Sequence, residues 1–220
     1  MTYRAVLFDW RRTLVHDPPL EWWLARAFES RNRRPTEAEE AALTQAIIDA
    51  FARPEYAELD RRMDTSAEQH RTDMMTVFGW AGLAGELAEA LYELDFDPAT
   101  HDLYPGMIEV LRDVRSRGLR TSLVSNIHFD LRPELKAKGV LDLFDAVILS
   151  FEHGVQKPDS EIFRIALDAL GVVAAEAIMV GDSEAHDGGA ASLGITTLIL
   201  PPLTDLGPRD FSPLLDLLGG

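Results

Sequence analysis

The 220-residue sequence predicts an α/β fold in which a parallel sheet is interrupted, after its first strand, by a helical insert. Two observations lead to this prediction. Five short apolar segments, typical of buried parallel strands, include four in the second half of the chain that alternate with amphipathic helical patterns. Residues 17 to 99, in contrast, contain helical patterns and no convincing strand. Because strands that alternate with helices form a parallel sheet covered on both faces, we expect one α/β core and one inserted helical unit.

The predicted strands are four or five residues long. They occupy residues 4–8, 120–124, 146–150, 177–181 and 197–200. Helical patterns at residues 106–117 and 159–170 place apolar side chains on one face, and each pattern is followed by a glycine, Gly118 or Gly171. Glycine is common just after the C-terminus of a helix. The expected core is therefore a Rossmann-like parallel sheet.

Four helices are expected in the insert, at residues 21–31, 36–51, 66–78 and 84–94. Two of them begin with capping boxes, Thr36 with Glu39 and Ser66 with Gln69. Residues 97–100 have the composition of a linker that returns to the sheet. We therefore predict a core of residues 1–16 and 100–220 and an insert of residues 17–99. An insert at this position stands over the C-terminal edge of the sheet, where open α/β folds bind ligands.

Composition and charge exclude several classes of function. The net charge of −16 argues against a nucleic-acid partner, because the phosphate backbone would be repelled. The longest apolar runs are too short to cross a bilayer, and the first residues show no signal-peptide pattern. The absence of cysteine excludes disulfides, thiolate metal sites and a cysteine nucleophile, and it fits a reducing compartment. We therefore expect a cytoplasmic protein with no membrane partner.

Residues 1–35 differ in charge from the rest of the chain. They contain seven arginines and four acidic residues, a local charge of +3, and the remaining 14 basic and 33 acidic residues give −19. Two interpretations stay open: a solvated arginine-rich helix face, or a segment that lies over a site for an anionic substrate.

Polar residues follow four of the predicted strands. They are Asp9 after the first strand, Ser125 and Asn126 after the second, Lys157 after the third, and Asp182 and Asp187 after the fourth. Because the carboxyl ends of parallel strands meet at one edge of the sheet, we expect these side chains to lie close together. Carboxylates bind Mg²⁺, and hydroxyl and ammonium groups bind phosphoryl oxygens. The set therefore predicts a site for a phosphoryl group and a divalent cation.

Four ordered motifs carry a resemblance to a known family. They are "VLFDWRRTL", "TSLVSN", "GVQKPDSEIF" and "IMVGDSEAHDGGAASLGI", and together they span Val6 to Ile195. With these motifs the chain resembles the haloacid dehalogenase-like hydrolases, with an α-helical cap domain inserted after the first strand. The resemblance implies a Rossmann-like core, a hydrolase activity, Mg²⁺ as the cofactor, and a small phosphorylated or otherwise anionic substrate.

The resemblance also implies roles for individual residues. Asp9 would be the nucleophile and form an aspartyl intermediate, and Lys157 would neutralise charge on Asp9 and on the phosphoryl group. The implied substrate-binding residues are Ser125, Asn126 and Lys157. The implied metal ligands are Asp9, the backbone carbonyl of Arg11, Asp182 and Asp187.

Arg11 and Arg12 depart from the family pattern Asp-x-Asp-Gly-Thr. In that pattern the second Asp protonates the leaving group and then activates water, whereas the guanidinium of Arg11 holds its proton near neutral pH. Loss of general acid–base catalysis commonly costs about 10² to 10⁴ in rate. Arg12 stands in place of a glycine and disfavours the positive φ that glycine permits. His16 is a candidate substitute for the missing acid, and an exposed loop histidine without a role is the alternative.

Three functions stay open at this point. The first is a Mg²⁺-dependent phosphatase, favoured by "VGDS" and the later motifs. The second is a metal-independent C–halogen hydrolase, because the family's dehalogenases also lack the second Asp, but they lack the metal aspartate that Asp182 supplies. The third is a non-catalytic protein that binds a phosphorylated ligand or a partner, in which the guanidinium of Arg11 pairs with Asp9 or Asp182 and occupies the metal region. Asp182 could also serve as the N-cap of the Gly-Ala-rich helix expected after it.

Overall fold

Five parallel strands form the sheet that the sequence predicts. The structure, a computed structural model, describes residues 2–201, 203 and 205–219, so residues 1, 202, 204 and 220 of the predicted core lie outside it. The strands are β1 (Ala5–Phe8), β2 (Arg120–Ser125), β3 (Ala146–Leu149), β4 (Ala177–Gly181) and β5 (Thr196–Ile199). They are parallel throughout and lie in the order β3-β2-β1-β4-β5. The predicted α/β fold class is confirmed, and each predicted strand end lies within one residue of the observed end.

Strand β1 lies at the centre of the sheet and at the point where the strand order reverses. Phe8 pairs with Leu123 of β2 on one side and with Val180 of β4 on the other. The chain runs from β1 to β2 and β3 on one side, and it then crosses to β4 and β5 on the other. Because the connections after β1 and β4 leave in opposite directions, a crevice opens between the C-terminal ends of these two strands, where open α/β sheets bind ligands.

The chain between residues 20 and 94 folds into helices. They are α1 (Leu20–Ser30), α2 (Glu37–Phe51), α3 (Tyr56–Asp60), α4 (Ala67–Trp80) and α5 (Glu86–Leu94), with a single 3₁₀ turn at Met63–Thr65. Helix α1 packs on α5 and α2 packs on α4 around an apolar core of their own, which includes Leu24, Ile47, Val77 and Leu91. We call this helical unit the cap. The boundaries predicted for it, residues 17 and 99, stay a prediction.

Two apolar layers cover the sheet, one on each face. Val6 and Phe8 of β1 belong to one layer and Ala5 and Leu7 to the other, the alternation that a strand imposes. Helices that contribute to these layers include α6 (Met107–Ser116), α7 (Arg132–Ala137), α8 (Ser150–His153), α9 (Ser160–Leu170) and α10 (Ser212–Leu217). Within the described part of the chain, none of the helices has both the length and the apolar character needed to span a membrane.

Two expectations about local structure are wrong. The cap contains a fifth helix, α3, because a five-residue helix is too short for a hydrophobic period to be visible in the sequence. The Gly-Ala-rich segment Asp187–Leu193 forms a 3₁₀ helix and not an α-helix. Gly188 and Gly189 are adjacent and lower the α-helical propensity of this segment, so the tighter 3₁₀ turn forms in its place. The predicted N-caps are present: the side chains of Thr36 and Ser66 each accept a bond from the backbone N–H three residues on.

Two side chains of the sheet domain, Gln156 and Ser150, bind residues 60–64 of the cap by hydrogen bonds. Gln156 accepts a hydrogen bond from the backbone N–H of Asp64 at 2.8 Å and donates one to the carbonyl of Asp60. Ser150 donates to the carbonyl of Asp64 at 2.6 Å. Because these bonds satisfy backbone groups on an irregular segment, they fix its position over the C-terminal edge of the sheet.

We expect Gly189→Ala to lower the free energy of unfolding by about 1–3 kcal/mol. A Cβ atom at this position would lie 2.5 Å from the carbonyl oxygen of Pro158 and 2.9 Å from its Cα, so backbone atoms would have to move. Gly188→Ala is the matched control, because its Cβ would meet only a side-chain atom of Glu184, at 3.7 Å. Urea unfolding of both variants checks this, and equal midpoints would contradict it.

Candidate active site

Asp9 occupies the crevice between β1 and β4. Its backbone N–H donates to the carbonyl of Val180 at 2.9 Å, which continues the pairing of β1 with β4 by one residue. One carboxylate oxygen, Oδ1, accepts a bond from Lys157 Nζ at 2.6 Å, and Oδ2 accepts one from Thr13 Oγ1 at 3.0 Å. Burial raises the pKa of Asp9 to about 6, against the opposing charge of Lys157 and with the help of Asp187. Each carboxylate oxygen of Asp9 therefore has a hydrogen-bond donor, and the ammonium of Lys157 stabilises the ionised form.

Lys157 is fully enclosed and bridges two carboxylates. Its ammonium donates to Asp9 Oδ1 and to Asp187 Oδ1, each at 2.6 Å, and only 2% of the residue is exposed. Burial by itself lowers the pKa of Lys157, but Asp187 and Asp9 outweigh burial, so the pKa lies above its ordinary value. Asn126 fixes the backbone of this lysine, since it accepts a bond from the N–H of Lys157 at 2.8 Å and donates to its carbonyl at 2.9 Å.

Three carboxylates converge at the same place. Oxygen atoms of Asp9, Asp182 and Asp187 lie within 4.8 Å of one another. Asp187 is held by the backbone N–H of Ser183 at 3.0 Å, and Gly181 makes room for it, because a Cβ there would lie 2.1 Å from an Asp187 oxygen. Burial raises the pKa of Asp182. Crowded oxygen donors, of which Asp9 and Asp182 have raised pKa values, fit Mg²⁺, which prefers oxygen ligands and would stabilise the ionised forms.

The side chain of Arg11 turns away from the three carboxylates and into the cap, so the expected pairing of Arg11 with Asp9 or Asp182 is wrong. Its guanidinium pairs instead with the carboxylate of Asp95, the residue that follows α5. Burial would raise the pKa of Asp95, but Arg11 and His128 outweigh it and lower that pKa to about 2. The pair is therefore ionic, and it links the loop that carries Asp9 to the cap.

Arg12 is the arginine that approaches the predicted metal ligands. Its Nε lies 3.2 Å from Asp182 Oδ2, so the guanidinium occupies the side of the site that faces solvent. The backbone of Arg12 adopts φ +55°, the conformation that we expected an arginine in place of glycine to disfavour. A left-handed residue other than glycine costs about 1–2 kcal/mol, and the surrounding loop imposes the conformation here.

Arg12→Gly is expected to increase the affinity for Mg²⁺ severalfold, because it removes the cation that pairs with Asp182. The unfolding midpoint should change little, since relief of the positive φ offsets the greater entropy of glycine in the unfolded chain. Mg²⁺ titration by calorimetry measures the affinity. Arg12→Lys is the control, because lysine keeps both the charge and the Cβ; equal Mg²⁺ affinity in the glycine variant and the wild type would contradict the prediction.

A cavity of about 500 Å³ lies between the cap and the sheet domain and opens onto Asp9. Its lining joins core residues such as Asn126 and Lys157 to cap residues such as Trp23, Phe51 and Tyr92. Trp23 of α1 faces the cavity, whereas Trp22 packs edge-to-face on Trp23. The volume and the mixed lining suit a small ligand with an anionic end and an apolar body.

Two sequence candidates lie outside this lining. Ser125 is buried, and its hydroxyl bonds weakly to the carbonyl of Asn126, at 3.5 Å. His16 packs edge-to-face against Tyr104, and the cavity lining includes neither residue. Asp182 does not cap the 3₁₀ segment: the residue before that segment is His186, and its side chain makes no capping bond. Asp159, in contrast, caps α9 by accepting from the N–H of Glu161 at 2.9 Å.

Sequence reasoning missed several cavity residues, which lie in the cap and in the loop after β2. They are Asp60, Asp64, His70, Asp95 and His128. His186, next to Asp187, meets Asp60 with 3.1 Å between His186 Nε2 and Asp60 Oδ2. Burial, together with the nearby His128, lowers the pKa of His70 to about 4, so this imidazole is neutral at pH 7. No local spacing marks these residues, because the chain brings them together from separate elements.

Comparisons with known proteins agree with the geometry. The family model of the haloacid dehalogenase-like hydrolases matches residues 3–194. A phosphoserine phosphatase of Thermus thermophilus is 41% identical over 105 residues, a match that covers 47% of this chain and 41% of that protein. A bovine haloacid dehalogenase-like hydrolase domain-containing protein 3 is 34% identical and is matched over 49% of its length, so the chain spans about half the length of these two relatives. A phosphoglycolate phosphatase of Rhodospirillum rubrum is 27% identical, over 98% of this chain and 91% of that protein.

Solved structures share the whole architecture. A HAD phosphatase from Thermococcus onnurineus has a TM-score of 0.62 and 28% identity, and the match covers 99% of this chain and 98% of that one. The HAD-hydrolase YfnB from Bacillus subtilis, bound to magnesium, has a TM-score of 0.75 and 20% identity with both chains fully covered. An L-2-haloacid dehalogenase from Xanthobacter autotrophicus has a TM-score of 0.65 and 24% identity, over 90% of this chain and 78% of that one. The last two matches show the fold alone.

Proposed function

The chain belongs to the haloacid dehalogenase-like hydrolase family, and from this premise we propose that it is a Mg²⁺-dependent phosphatase acting on a small phosphorylated metabolite. One observation carries the proposal: Asp9 lies at the mouth of the cavity, beside Lys157 and two further carboxylates that suit a divalent cation. The relatives named phosphoserine phosphatase and phosphoglycolate phosphatase support the substrate class. The cytoplasmic location predicted from the absence of cysteine stays part of the proposal.

In the proposed reaction Asp9 is the nucleophile. A carboxylate oxygen attacks phosphorus, the bond from phosphorus to the ester oxygen breaks, and the leaving oxygen keeps the electron pair and takes a proton from solvent. Water then attacks the aspartyl phosphate, the bond to Asp9 breaks, inorganic phosphate leaves, and the carboxylate is regenerated. Asp9, Asp182, Asp187 and the carbonyl of Arg11 would hold Mg²⁺, which supplies positive charge opposite the phosphoryl oxygens when bound.

The remaining residues of the proposed site bind the substrate or position other side chains. Lys157 keeps its charge because two carboxylates surround it, so it can neutralise a phosphoryl oxygen as well as Asp9. Asn126 fixes the position of that lysine through two hydrogen bonds to its backbone. Ser125, given a substrate-binding role from the resemblance, would need a rotation of its hydroxyl to reach a substrate in the cavity.

The position of Arg11 bears on which phosphates react. Its guanidinium is paired with Asp95, and it holds its proton at neutral pH, so it neither donates a proton nor is free to bind the leaving anion. Substrates whose leaving group is stable as an anion, such as acyl phosphates, need the least acid catalysis. We therefore expect acetyl phosphate to react faster than an alkyl phosphate.

A ligand-binding protein without turnover is the second candidate. The contact of Arg12 with Asp182 favours it, because a guanidinium there competes with a metal ion. The structural similarity to an L-2-haloacid dehalogenase concerns the fold, and Asp182 with Asp187 argues against a metal-independent reaction.

Hydrolysis assays separate these functions. Acetyl phosphate, p-nitrophenyl phosphate and 2-chloropropionate are offered with Mg²⁺ and with EDTA. The proposal expects release of phosphate that requires Mg²⁺ and no release of chloride. Chloride release that is insensitive to EDTA would establish the dehalogenase. If none of the three reacts while calorimetry detects Mg²⁺ or phosphate binding, the non-catalytic function replaces the proposal.

Restoring an acid at position 11 should raise turnover of alkyl phosphates about 10- to 100-fold. The test is Arg11→Asp combined with Asp95→Asn, since Arg11→Asp alone leaves Asp95 as an unpaired buried charge. Arg11→Asn with Asp95→Asn is the matched control, because it removes the guanidinium without supplying an acid. Equal kcat values for the two double variants would show that proton transfer does not limit the reaction.

A further inference from the structure

A second group of metal-ligand types lies in the wall of the cavity, apart from Asp9 and its neighbours. Asp64 belongs to the 3₁₀ turn of the cap, His70 to α4, and His128 to the loop after β2. Asp64 Oδ1 lies 3.8 Å from His70 Nε2 and 3.7 Å from His128 Nδ1, and one ligand atom from each residue falls within 4.8 Å of the other two. All three residues line the cavity.

The two histidines are buried without the hydrogen bonds that buried imidazoles ordinarily make. Only 8% of His70 and 2% of His128 are exposed. His70 Nδ1 and His128 Nε2 have no hydrogen-bond partner among the described residues, and the nitrogens that face Asp64 are too far from it to bond directly. A buried polar atom without a partner costs about 1–3 kcal/mol, so two buried imidazoles that gain so little from hydrogen bonds call for another role, and the nitrogens that face Asp64 are free to bind a ligand.

The carboxylate of Asp95 lies close to the second nitrogen of His128. His128 Nε2 lies 3.5 Å from Asp95 Oδ2, and Asp95 is itself held by Arg11. Metal-bound histidines commonly direct their second nitrogen at a carboxylate, which fixes the ring and its tautomer. With Nε2 turned to Asp95, His128 Nδ1 is the nitrogen left to face Asp64.

We propose that Asp64, His70 and His128 form a second metal site, which binds a first-row transition ion such as Zn²⁺ in the wall of the cavity. Two imidazole nitrogens and one carboxylate suit Zn²⁺, Fe²⁺ or Co²⁺, whereas Mg²⁺ prefers oxygen donors alone. Three protein ligands leave a coordination position open. Because the residues line the cavity, that position is available to a ligand atom of a substrate.

Binding an ion requires a small approach of the ligand atoms and a substantial rotation of one imidazole ring. Ligand atoms of a tetrahedral Zn²⁺ site lie about 3.3 Å apart, as follows from bonds of roughly 2.0–2.1 Å. The two measured separations, 3.7 and 3.8 Å, exceed this by about half an ångström. The rings are stacked, with centroids 3.4 Å apart and planes within 5° of parallel, so one of them must also tilt for both lone pairs to point at the ion.

The three ligands come from both the cap and the sheet domain, so a bound ion would connect the two. Asp64 and His70 belong to the cap, whereas His128 follows β2 of the sheet domain. An ion that binds all three connects the cap to the sheet domain and stabilises the folded protein by mass action. Binding at this site is independent of whether Asp9 turns over a phosphate.

Co²⁺ titration of the full chain tests the site, with visible d–d absorption as the readout and with excess Mg²⁺ to occupy the oxygen-rich site. We expect one Co²⁺ per chain with a tetrahedral or five-coordinate spectrum, displaced by Zn²⁺. His70→Gln, His128→Gln and Asp64→Asn should each weaken binding tenfold or more. His153→Gln, which changes an exposed histidine, is the matched control and should bind as the wild type does.

Two further measurements distinguish binding at this site from binding at the site that contains Asp187. Asp187→Asn, which removes a predicted Mg²⁺ ligand, should retain the Co²⁺ spectrum; loss of the spectrum there would assign the ion to the other site and overturn the proposal. Zn²⁺ should raise the unfolding temperature of the wild type and of His153→Gln but not that of His128→Gln. Equal Co²⁺ affinity in the wild type and in all three ligand variants, each checked for its fold by circular dichroism, would also overturn it.

Discussion

Asp9→Asn should reduce the turnover of acetyl phosphate by about a thousandfold or more while the fold is retained. An amide does not provide the ionised oxygen that attacks phosphorus, so the aspartyl phosphate does not form. The substitution is nearly isosteric: the amide oxygen can still accept from Thr13 or from Lys157, and Lys157 keeps its bond to Asp187. The measurement is kcat with saturating Mg²⁺, beside trapping of the covalent phosphate in the wild type with radiolabelled substrate.

Asp168→Asn is the matched control for this change. Asp168 is an exposed aspartate of α9 that does not line the cavity, and its replacement should leave kcat unchanged. Equal rates for Asp9→Asn and the wild type, with both proteins folded, would remove Asp9 from the reaction and with it the proposed mechanism.

Lys157→Met should lower the free energy of unfolding by about 3–5 kcal/mol in the absence of metal. Methionine fills a similar volume, but it leaves Asp9 and Asp187 facing each other without the ammonium that lies 2.6 Å from each. Because two uncompensated buried carboxylates repel, one of them should take up a proton, and the pKa of Asp9 should rise above its value of about 6. Loss of Lys157 should also remove most of the turnover, since the phosphoryl oxygens lose a fixed cation.

Mg²⁺ should restore part of the stability of this variant, because a divalent cation compensates the same carboxylates. Urea unfolding of the wild type and of Lys157→Met, each with EDTA and with Mg²⁺, measures both effects. Lys136→Met, which replaces an exposed lysine of α7, controls for the loss of a charge and should shift the midpoint by less than about 0.5 kcal/mol. A Lys157→Met protein as stable as this control in EDTA would contradict the prediction.

The ordered strand-end residues explain why much of the site was predictable. Apolar runs mark the strands, parallel strands bring their carboxyl ends to one edge, and the side chain after each run therefore enters the same crevice. Asp9, Lys157, Asp182 and Asp187 meet there, although they come from three separate stretches of the chain. Their catalytic and metal-binding roles stay proposals, because proximity does not establish turnover.

Side-chain direction was not predictable in the same way. Arg11 and Arg12 are neighbours of the same type, yet Arg11 pairs with Asp95 of the cap and Arg12 with Asp182 of the core. The positive φ of Arg12 turns the backbone between them, and that conformation follows from the loop as a whole. No sequence signal marks Asp95, since an acid at the end of a helix is common on solvated surfaces.

The sequence by itself determined the α/β class, the strand positions, the family and the set of residues at the strand ends, because these depend on local periodicity and on the geometry of a parallel sheet. Tertiary structure alone decided which partner each arginine takes, that Ser125 and His16 stay out of the cavity lining, and that Asp64 and His70 meet His128. For Arg11 with Asp95, and for Asp64 and His70 with His128, the physical reason is that the contacts join the cap to the sheet domain, so they depend on how two separately packed cores are oriented. A periodic pattern within either core contains no information about that orientation.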